Sequence, residues 1–155
     1  MNTRRFTFSF FVLALLLLVS VVPVLAGAPP EKAYCTETLL EVLKPGEMSM
    51  VGELIYITGI KEIYLEECDQ PWASGKNLVT VNLVIYPDGT GKFTGDFRLK
   101  TFEGGLWLGD FKGAFDAENS WYTARGAGYK IYAGYRIKVE ALNGSATITR
   151  FLPGK

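Results

Sequence analysis

The 155-residue chain contains no histidine and only two cysteines, and its 16 basic side chains balance 16 acidic ones. Without histidine, the chain by itself forms neither a Ser-His-Asp nor a Cys-His catalytic site, nor a histidine-ligated metal site. Two cysteines are too few for a four-thiolate zinc site or an iron–sulfur cluster. With zero net charge, the chain lacks the excess of basic residues that is typical of a nucleic-acid-binding domain. Composition therefore predicts no metal, no cofactor and no nucleic-acid partner.

The N-terminal segment, residues 1–26, has the layout of a secretory signal peptide. Arg4 and Arg5 form a positively charged N-terminal region, a long apolar stretch follows, and Ala26 ends a small-residue cleavage site. We predict cleavage after Ala26 and an exported protein, secreted or held in the periplasm or at the cell surface, with no membrane span left. The alternative is an uncleaved membrane anchor, because the apolar residues 6–28 are enough to cross a bilayer.

Removal of this segment leaves a slightly acidic chain with 14 basic and 16 acidic side chains. Both cysteines, Cys35 and Cys68, lie in this part. Because disulfides persist in oxidising compartments, an exported chain with two cysteines is expected to join them. The bond would close a loop of about 34 residues and stabilise the fold by about 3–4 kcal/mol in the chain-entropy model. The alternative is two unrelated thiols.

After a lead-in segment, residues 27–45, the chain shows the period-two alternation of β-strands. Residues 36–44 of the lead-in fit either a short helix or a strand, and Pro45-Gly46 ends whichever forms. Asn143-Gly144 is the strongest hairpin signal in the chain. Strands are predicted at residues 51–59, 60–67, 78–86, 92–100, 107–116, 121–128, 135–142 and 145–152.

Eight strands joined by short turns predict an antiparallel meander, which closes into a barrel without free edges. We therefore predict an all-β fold, an eight-stranded antiparallel meander β-barrel over residues 46–155, with a β-sandwich as the alternative. Glycines inside the strands favour the barrel. Gly95, Gly109 and Gly113 share a face with aromatic side chains, where they leave room for strong coiling.

Three stretches carry a repeated rhythm of glycine and aromatic residues. They read Gly-x-Phe-x-Gly-Asp-Phe-Arg-Leu at 91–99, Gly-Leu-Trp-x-Gly-x-Phe-x-Gly at 105–113, and Gly-x-Gly-Tyr-x-x-Tyr-x-Gly at 126–134. The rhythm resembles that of an uncharacterised group of exported prokaryotic single-domain barrels, with the allene-oxide-cyclase-like and dirigent-like barrels as the nearest relatives in shape. This resemblance implies a barrel over residues 52–153. No position matches the catalytic residues of the plant cyclases, so the resemblance assigns none, and fold analogy alone does not give function.

Four aromatic residues are candidates for ligand binding: Trp72, Tyr129, Tyr132 and Tyr135. Trp72 lies in a predicted loop, where its ring would contact a ligand or plug the end of the barrel. The three tyrosines surround a predicted turn. Each offers a ring and a hydroxyl to a ligand, or packs across neighbouring strands.

The acidic residues show no obvious catalytic pair, and we predict no catalytic residue. Asp96 and Asp110 share a predicted face with basic side chains, which is typical of a solvated outer surface. Glu66, Glu67 and Asp69 form a cluster without the ligand spacing of a calcium loop. We interpret this cluster as a surface turn.

Two classes of function remain. The first is an exported, non-catalytic barrel that binds a small apolar or aromatic ligand, or a surface partner. An eight-stranded barrel is either filled by side chains or holds one small ligand. The second is a cyclase- or isomerase-like enzyme for a hydrophobic substrate, in which Tyr, Asp or Glu acts as acid or base. A cavity that contains a buried carboxylate would favour the second class.

Overall fold

The computed structural model describes residues 29–153, and the predicted signal peptide at 1–26 lies outside them. Nine antiparallel strands form one sheet in this part of the chain. They are β1 (Glu31–Lys44), β2 (Glu47–Val51), β3 (Leu54–Cys68), β4 (Gly75–Ile85), β5 (Gly91–Thr101), β6 (Leu106–Phe115), β7 (Ser120–Tyr129), β8 (Arg136–Leu142) and β9 (Ser145–Phe151). A single 3-10 turn, Lys130–Tyr132, lies between β7 and β8. Within residues 29–153, no helix is long and apolar enough to cross a membrane.

The sheet closes into a barrel because β1 pairs with two partners. Residues 31–36 of β1 pair with β9, and residues 35–44 of the same strand pair with β3. The closed ring contains eight strands, β1 and β3–β9, and the ninth strand, β2, is hydrogen-bonded to β3. The predicted all-β, eight-stranded antiparallel meander barrel is confirmed.

The eight strands of the ring are not the same eight that the sequence predicted. β1 lies within the segment 27–45, for which we predicted a lead-in, so the barrel includes residues before 46. The local sequence was ambiguous because Leu39, Leu40 and Leu43 have helical spacing. On β1 these three side chains are about half exposed, at 47–49%.

β3 is one long strand where the sequence predicted two, at 51–59 and 60–67. Its pairing with β4 shifts register between Ile57 and Ile60, which marks a bulge. Gly59 lies in the bulge with a φ of +69°, and its N–H donates to the Asn82 side-chain oxygen at 3.0 Å. The glycine therefore bends the strand without ending it.

The alternation predicted for β5 and β6 is confirmed, and the aromatic face points into the barrel. Phe97 of β5 is 7% exposed and Trp107 of β6 is fully buried. Gly109 faces Phe97 across the pair, and a Cβ there would lie 2.5 Å from the Phe97 ring and 2.0 Å from the Arg125 carbonyl oxygen. Only glycine fits, because the coiled sheet brings a ring and a neighbouring backbone against this position.

Cys35 and Cys68 form a disulfide that joins β1 to β3, as predicted. The two residues are also direct partners in the antiparallel register. Two positions farther along each strand, Glu37 is paired with Glu66. Residues two apart on a strand share a face, so both glutamates lie on the same side of the sheet as the disulfide. A disulfide of this kind is typical of a protein in an oxidising, extracytoplasmic compartment.

Candidate ligand-binding cavity

The barrel is hollow, with an internal cavity of about 430 Å³. Small-molecule sites are typically about 300–1,000 Å³ and mostly apolar. The wall is built from inward-facing residues, of which the apolar majority includes Val79, Leu83, Phe93, Phe97, Phe111 and Ile148. The cavity is therefore large enough for one small molecule with an apolar body.

One end of the cavity meets solvent. Ser120, Asn143 and Gly144 belong to the wall and are exposed, so they mark the mouth. Phe115, at the end of β6 remote from Trp107, lies at the same end. A ligand would enter between the β6–β7 and β8–β9 turns.

The opposite end is plugged by aromatic rings. Trp72 meets Trp107 edge-on, with ring centroids 6.2 Å apart, and Tyr132 stacks on Trp107 at 4.8 Å. The Trp107 indole N–H donates to the Trp72 carbonyl oxygen at 3.0 Å. The Arg150 guanidinium lies 4.5 Å from the centre of the Trp72 ring and 5.2 Å from that of Tyr135. Of the two alternatives for Trp72, the structure shows it in the plug.

None of the four predicted ligand-binding aromatics belongs to the cavity wall. Trp72, Tyr132 and Tyr135 come together around the plug, whereas Tyr129 is 48% exposed. A ligand role for these residues stays a prediction, and it would concern the outer side of the plugged end.

Polar side chains cover one region of the cavity wall, where β1, β3 and β4 meet. They are Glu37, Glu62, Tyr64, Glu66 and Asn77. Among the described residues, those that line the wall carry three carboxyl groups and include neither lysine nor arginine. The interior is therefore apolar with an acidic region that no basic side chain of the wall neutralises.

Glu66 is almost completely buried in this region, at 3% exposure. Asn77 donates a hydrogen bond from Nδ2 to Glu66 Oε1 at 2.9 Å, while Glu66 Oε2 and Asn77 Oδ1 have no partner among the described residues. Burial, followed by the charge of Glu37, raises the pKa of Glu66 to about 8, although the Asn77 hydrogen bond opposes the shift. Glu66 thus belongs to the cavity wall and carries one buried carboxyl oxygen that has no hydrogen-bond partner among the described residues.

Glu37 lies directly opposite Glu66 in the β1–β3 register. Like charges on opposed residues of an antiparallel pair are destabilising, so the two carboxyl groups resist being ionised together. Burial raises the pKa of Glu37, and a hydrogen bond from the Tyr122 hydroxyl partly offsets this rise. Glu37 is therefore the group of the pair whose ionised form is better stabilised. Glu66 is the group that holds its proton more readily.

Two tyrosines complete the polar region. The Tyr64 hydroxyl donates to Glu62 Oε2 at 3.0 Å, and the Tyr122 hydroxyl donates to Glu37 Oε1. Burial and the nearby carboxylates raise the pKa of both phenols above its ordinary value. Both tyrosines therefore remain protonated hydrogen-bond donors at neutral pH.

The interpretation of Glu66 as part of a surface turn is wrong. Glu66 lies on β3 and faces the interior, and it is Glu67 and Asp69 that are exposed. The stripe Glu62-x-Tyr64-x-Glu66 was a usable signal, because polar residues at period two must share one face of a strand. It was missed because the intervening residues, Ile63 and Leu65, are apolar. Apolar residues usually form the inward face of a strand, so the polar residues were expected on the outer face.

The cavity can thus hold one small molecule and offer it an apolar wall, aromatic rings and a carboxyl group that exchanges protons near neutral pH. These features are set by the closed ring and by the register of β1 on β3. In comparisons with known proteins, no family model, no curated protein and no solved structure matches this chain.

Proposed function

We propose that the protein is an exported barrel that binds a small, mainly apolar molecule in its interior. The observation that carries this proposal is the hollow core, about 430 Å³ of largely apolar space whose wall includes Glu66, a buried glutamate with one carboxyl oxygen unpartnered among the described residues. Unfilled apolar volume lowers stability, and protein interiors are normally close-packed. A cavity of this size therefore fits a binding role better than a purely structural one.

Export is part of the same proposal. The layout of residues 1–26 supports a signal peptide that is cleaved after Ala26, and the Cys35–Cys68 disulfide supports an oxidising destination. The ligand would then be a molecule that the protein meets outside the cytoplasm.

Ala124→Phe tests interior binding. Ala124 is 4% exposed on β7, belongs to the cavity wall, and is paired with Phe111 and Val139. A phenyl ring at this position would occupy the space that the ligand needs. We expect ligands found with the unmodified protein, in a thermal-shift and native-mass screen of apolar metabolites, to lose at least about tenfold in affinity, or about 1.4 kcal/mol.

Ala127→Phe is the matched control, because Ala127 lies on the same strand and is exposed. This variant should bind like the unmodified protein. Ala124→Leu adds less volume and should show a smaller loss, which guards against misfolding of the Phe variant. Unchanged binding in both Ala124 variants would rule out the interior as the site.

A second candidate is a cyclase- or isomerase-like enzyme, and Glu66 is the observation that favours it. A buried carboxyl group with a pKa near 8 and a free oxygen has the properties of a general acid or base.

Turnover distinguishes the two candidates. Each ligand from the screen would be incubated with the protein and analysed by chiral chromatography. An enzyme should convert its ligand to an isomer, and Glu66→Gln should bind that ligand without converting it. Recovery of every ligand unchanged would contradict the enzyme and support the non-catalytic binding protein.

A further inference from the structure

We propose that the interior ligand is an organic amine, bound as its ammonium ion, with the nitrogen beside Glu37 and Glu66 and the apolar body against the rest of the wall. This inference rests on the proposed interior binding site and adds the chemical class of the ligand.

The charge of the wall is the first argument. Three carboxyl groups face the cavity and no basic side chain of the wall accompanies them. A buried carboxylate without a cation is costly, and a positive partner brought by the ligand would relieve that cost. A ligand with its own carboxylate would add to the repulsion instead.

The free acceptors are the second argument. Within residues 29–153, Glu66 Oε2 and Asn77 Oδ1 are buried and have no hydrogen-bond partner, and the two side chains are joined by the 2.9 Å hydrogen bond from Asn77 Nδ2 to Glu66 Oε1. The unused oxygens therefore belong to adjacent side chains. Once Glu66 is ionised, an ammonium group, which donates up to three hydrogen bonds, can satisfy both oxygens, whereas an alcohol has one proton to donate.

The aromatic side chains are the third argument. Phe93, Phe111 and Tyr122 belong to the wall, with ring centroids 6.0–6.5 Å apart, and Tyr122 also contacts Glu37 through its hydroxyl. Ring faces attract ammonium ions and also pack against apolar bodies. The acidic and aromatic surfaces therefore meet at Tyr122, where a molecule with both features would fit.

A bare metal ion fits this region less well than an organic cation. Within residues 29–153, no group of three or more His, Cys, Asp or Glu side chains is arranged to hold a metal ion. A metal ion would also leave the apolar remainder of the cavity empty. An organic amine matches both parts of the wall.

Isothermal titration calorimetry with matched ligands tests the inference. The probes are phenethylamine against phenethyl alcohol, octylamine against octanol, and phenylpropanoate as the anion. Near pH 8 the amines are protonated and Glu66 is partly ionised. Because charge-assisted hydrogen bonds contribute about 1.5–3 kcal/mol, we expect at least one amine to bind about 10–100-fold more tightly than its alcohol. Phenylpropanoate should not bind.

Glu66→Gln and Glu67→Gln form a matched pair of variants. Glu66→Gln removes the carboxyl group that has the unpartnered oxygen and leaves Glu37 in place, so it should reduce the amine's advantage, with little change for the alcohols. Glu67 is the adjacent exposed residue, so Glu67→Gln should bind every probe like the unmodified protein.

The outcomes separate this inference from the proposed function. If the alcohols bind as tightly as the amines, and Ala124→Phe weakens both, the amine preference is overturned and interior binding stands. If amine binding survives in Ala124→Phe, the amine lies elsewhere and the inference fails. If none of the four neutral and amine probes binds, interior binding of such molecules is overturned together with the amine preference.

Discussion

The stability of the ligand-free protein is expected to fall as the pH rises from about 5 to about 9, and Glu66→Gln is expected to remove most of that fall. The pKa of Glu66 is about 8 in the folded protein, against an ordinary value of 4.5. Between these values the folded state holds a proton that the unfolded chain has released. The stabilisation from this proton is complete below about pH 4.5 and is lost as the pH rises through 8.

The size of this effect is large for a domain of this kind. One pKa unit corresponds to about 1.4 kcal/mol, so the full shift in the pKa of Glu66 is worth several kcal/mol. A typical domain has a free energy of unfolding of roughly 5–15 kcal/mol, so this is a substantial part of it. Glu37 contributes in the same direction, because its pKa is also raised. Glu66→Gln also removes the charge that Glu37 faces, so the variant should relieve both groups.

The groups that face Glu66 determine whether the pH dependence of stability can be assigned to Glu66. Glu37 faces it from β1 and Asn77 from β4, and the phenols of Tyr64 and Tyr122 stay protonated over this range because their pKa values are raised. Gln resembles the protonated acid in shape and still offers an oxygen to Asn77 Nδ2. The variant should therefore match the unmodified protein at pH 5 and exceed it at pH 9.

The measurement is the midpoint of urea unfolding, followed by circular dichroism at about pH 5, 7 and 9. Glu67→Gln serves as the control and should follow the unmodified protein, since Glu67 is exposed. Parallel pH profiles for Glu66→Gln and the unmodified protein would show that Glu66 has no raised pKa.

The acidic pair is unfavourable in the empty barrel, and this is an argument for function. Two opposed glutamates and an unpartnered carboxyl oxygen break the usual rules for a sheet interior. Such departures concentrate at functional sites, and here a bound cation would compensate for them. An amine beside Glu66 would lower the pKa of that group, so ligand binding should release a proton and restore stability above neutral pH.

Most of the fold could be predicted because it is recorded in local patterns. The alternation from Val79 to Ile85, and the glycines that face aromatic rings at Gly95 and Gly109, identified coiled antiparallel strands. The closure of the ring could not be read in the same way. It depends on β1, whose leucines have helical spacing and are half exposed, and which gains its strand structure from pairing with both β3 and β9.

The site was harder to predict because its members are far apart in the sequence. Tyr122 and Glu37 are separated by 85 positions, and they meet only because the ring closes. One sequence signal was available. Once a Cys35–Cys68 disulfide is predicted between antiparallel strands, stepping two residues inward on each strand places Glu37 opposite Glu66, although the pattern alone does not show which face is inside.

The disulfide is expected to be the largest single covalent contribution to stability. It joins residues 33 positions apart, and the chain-entropy model gives about 3–4 kcal/mol for a loop of this length. The double variant Cys35→Ala and Cys68→Ala should lose this amount in urea unfolding. Reduction of the unmodified protein should give the same loss, and a reductant should not affect the double variant. A loss below about 1 kcal/mol would contradict the expected effect.

The same double variant tests whether the disulfide also supports the site. Glu37 is held opposite Glu66 by the β1–β3 register, and the disulfide fixes that register at the adjacent inward-facing pair. Without it, hydrogen exchange should quicken in β1 first, because this strand has the most exposed apolar side chains of the ring, whereas β5 and β6 should keep their protection. Amine affinity should fall more than alcohol affinity, because only the amine depends on the glutamates being side by side. Equal losses for both probes would assign the disulfide a role in stability alone.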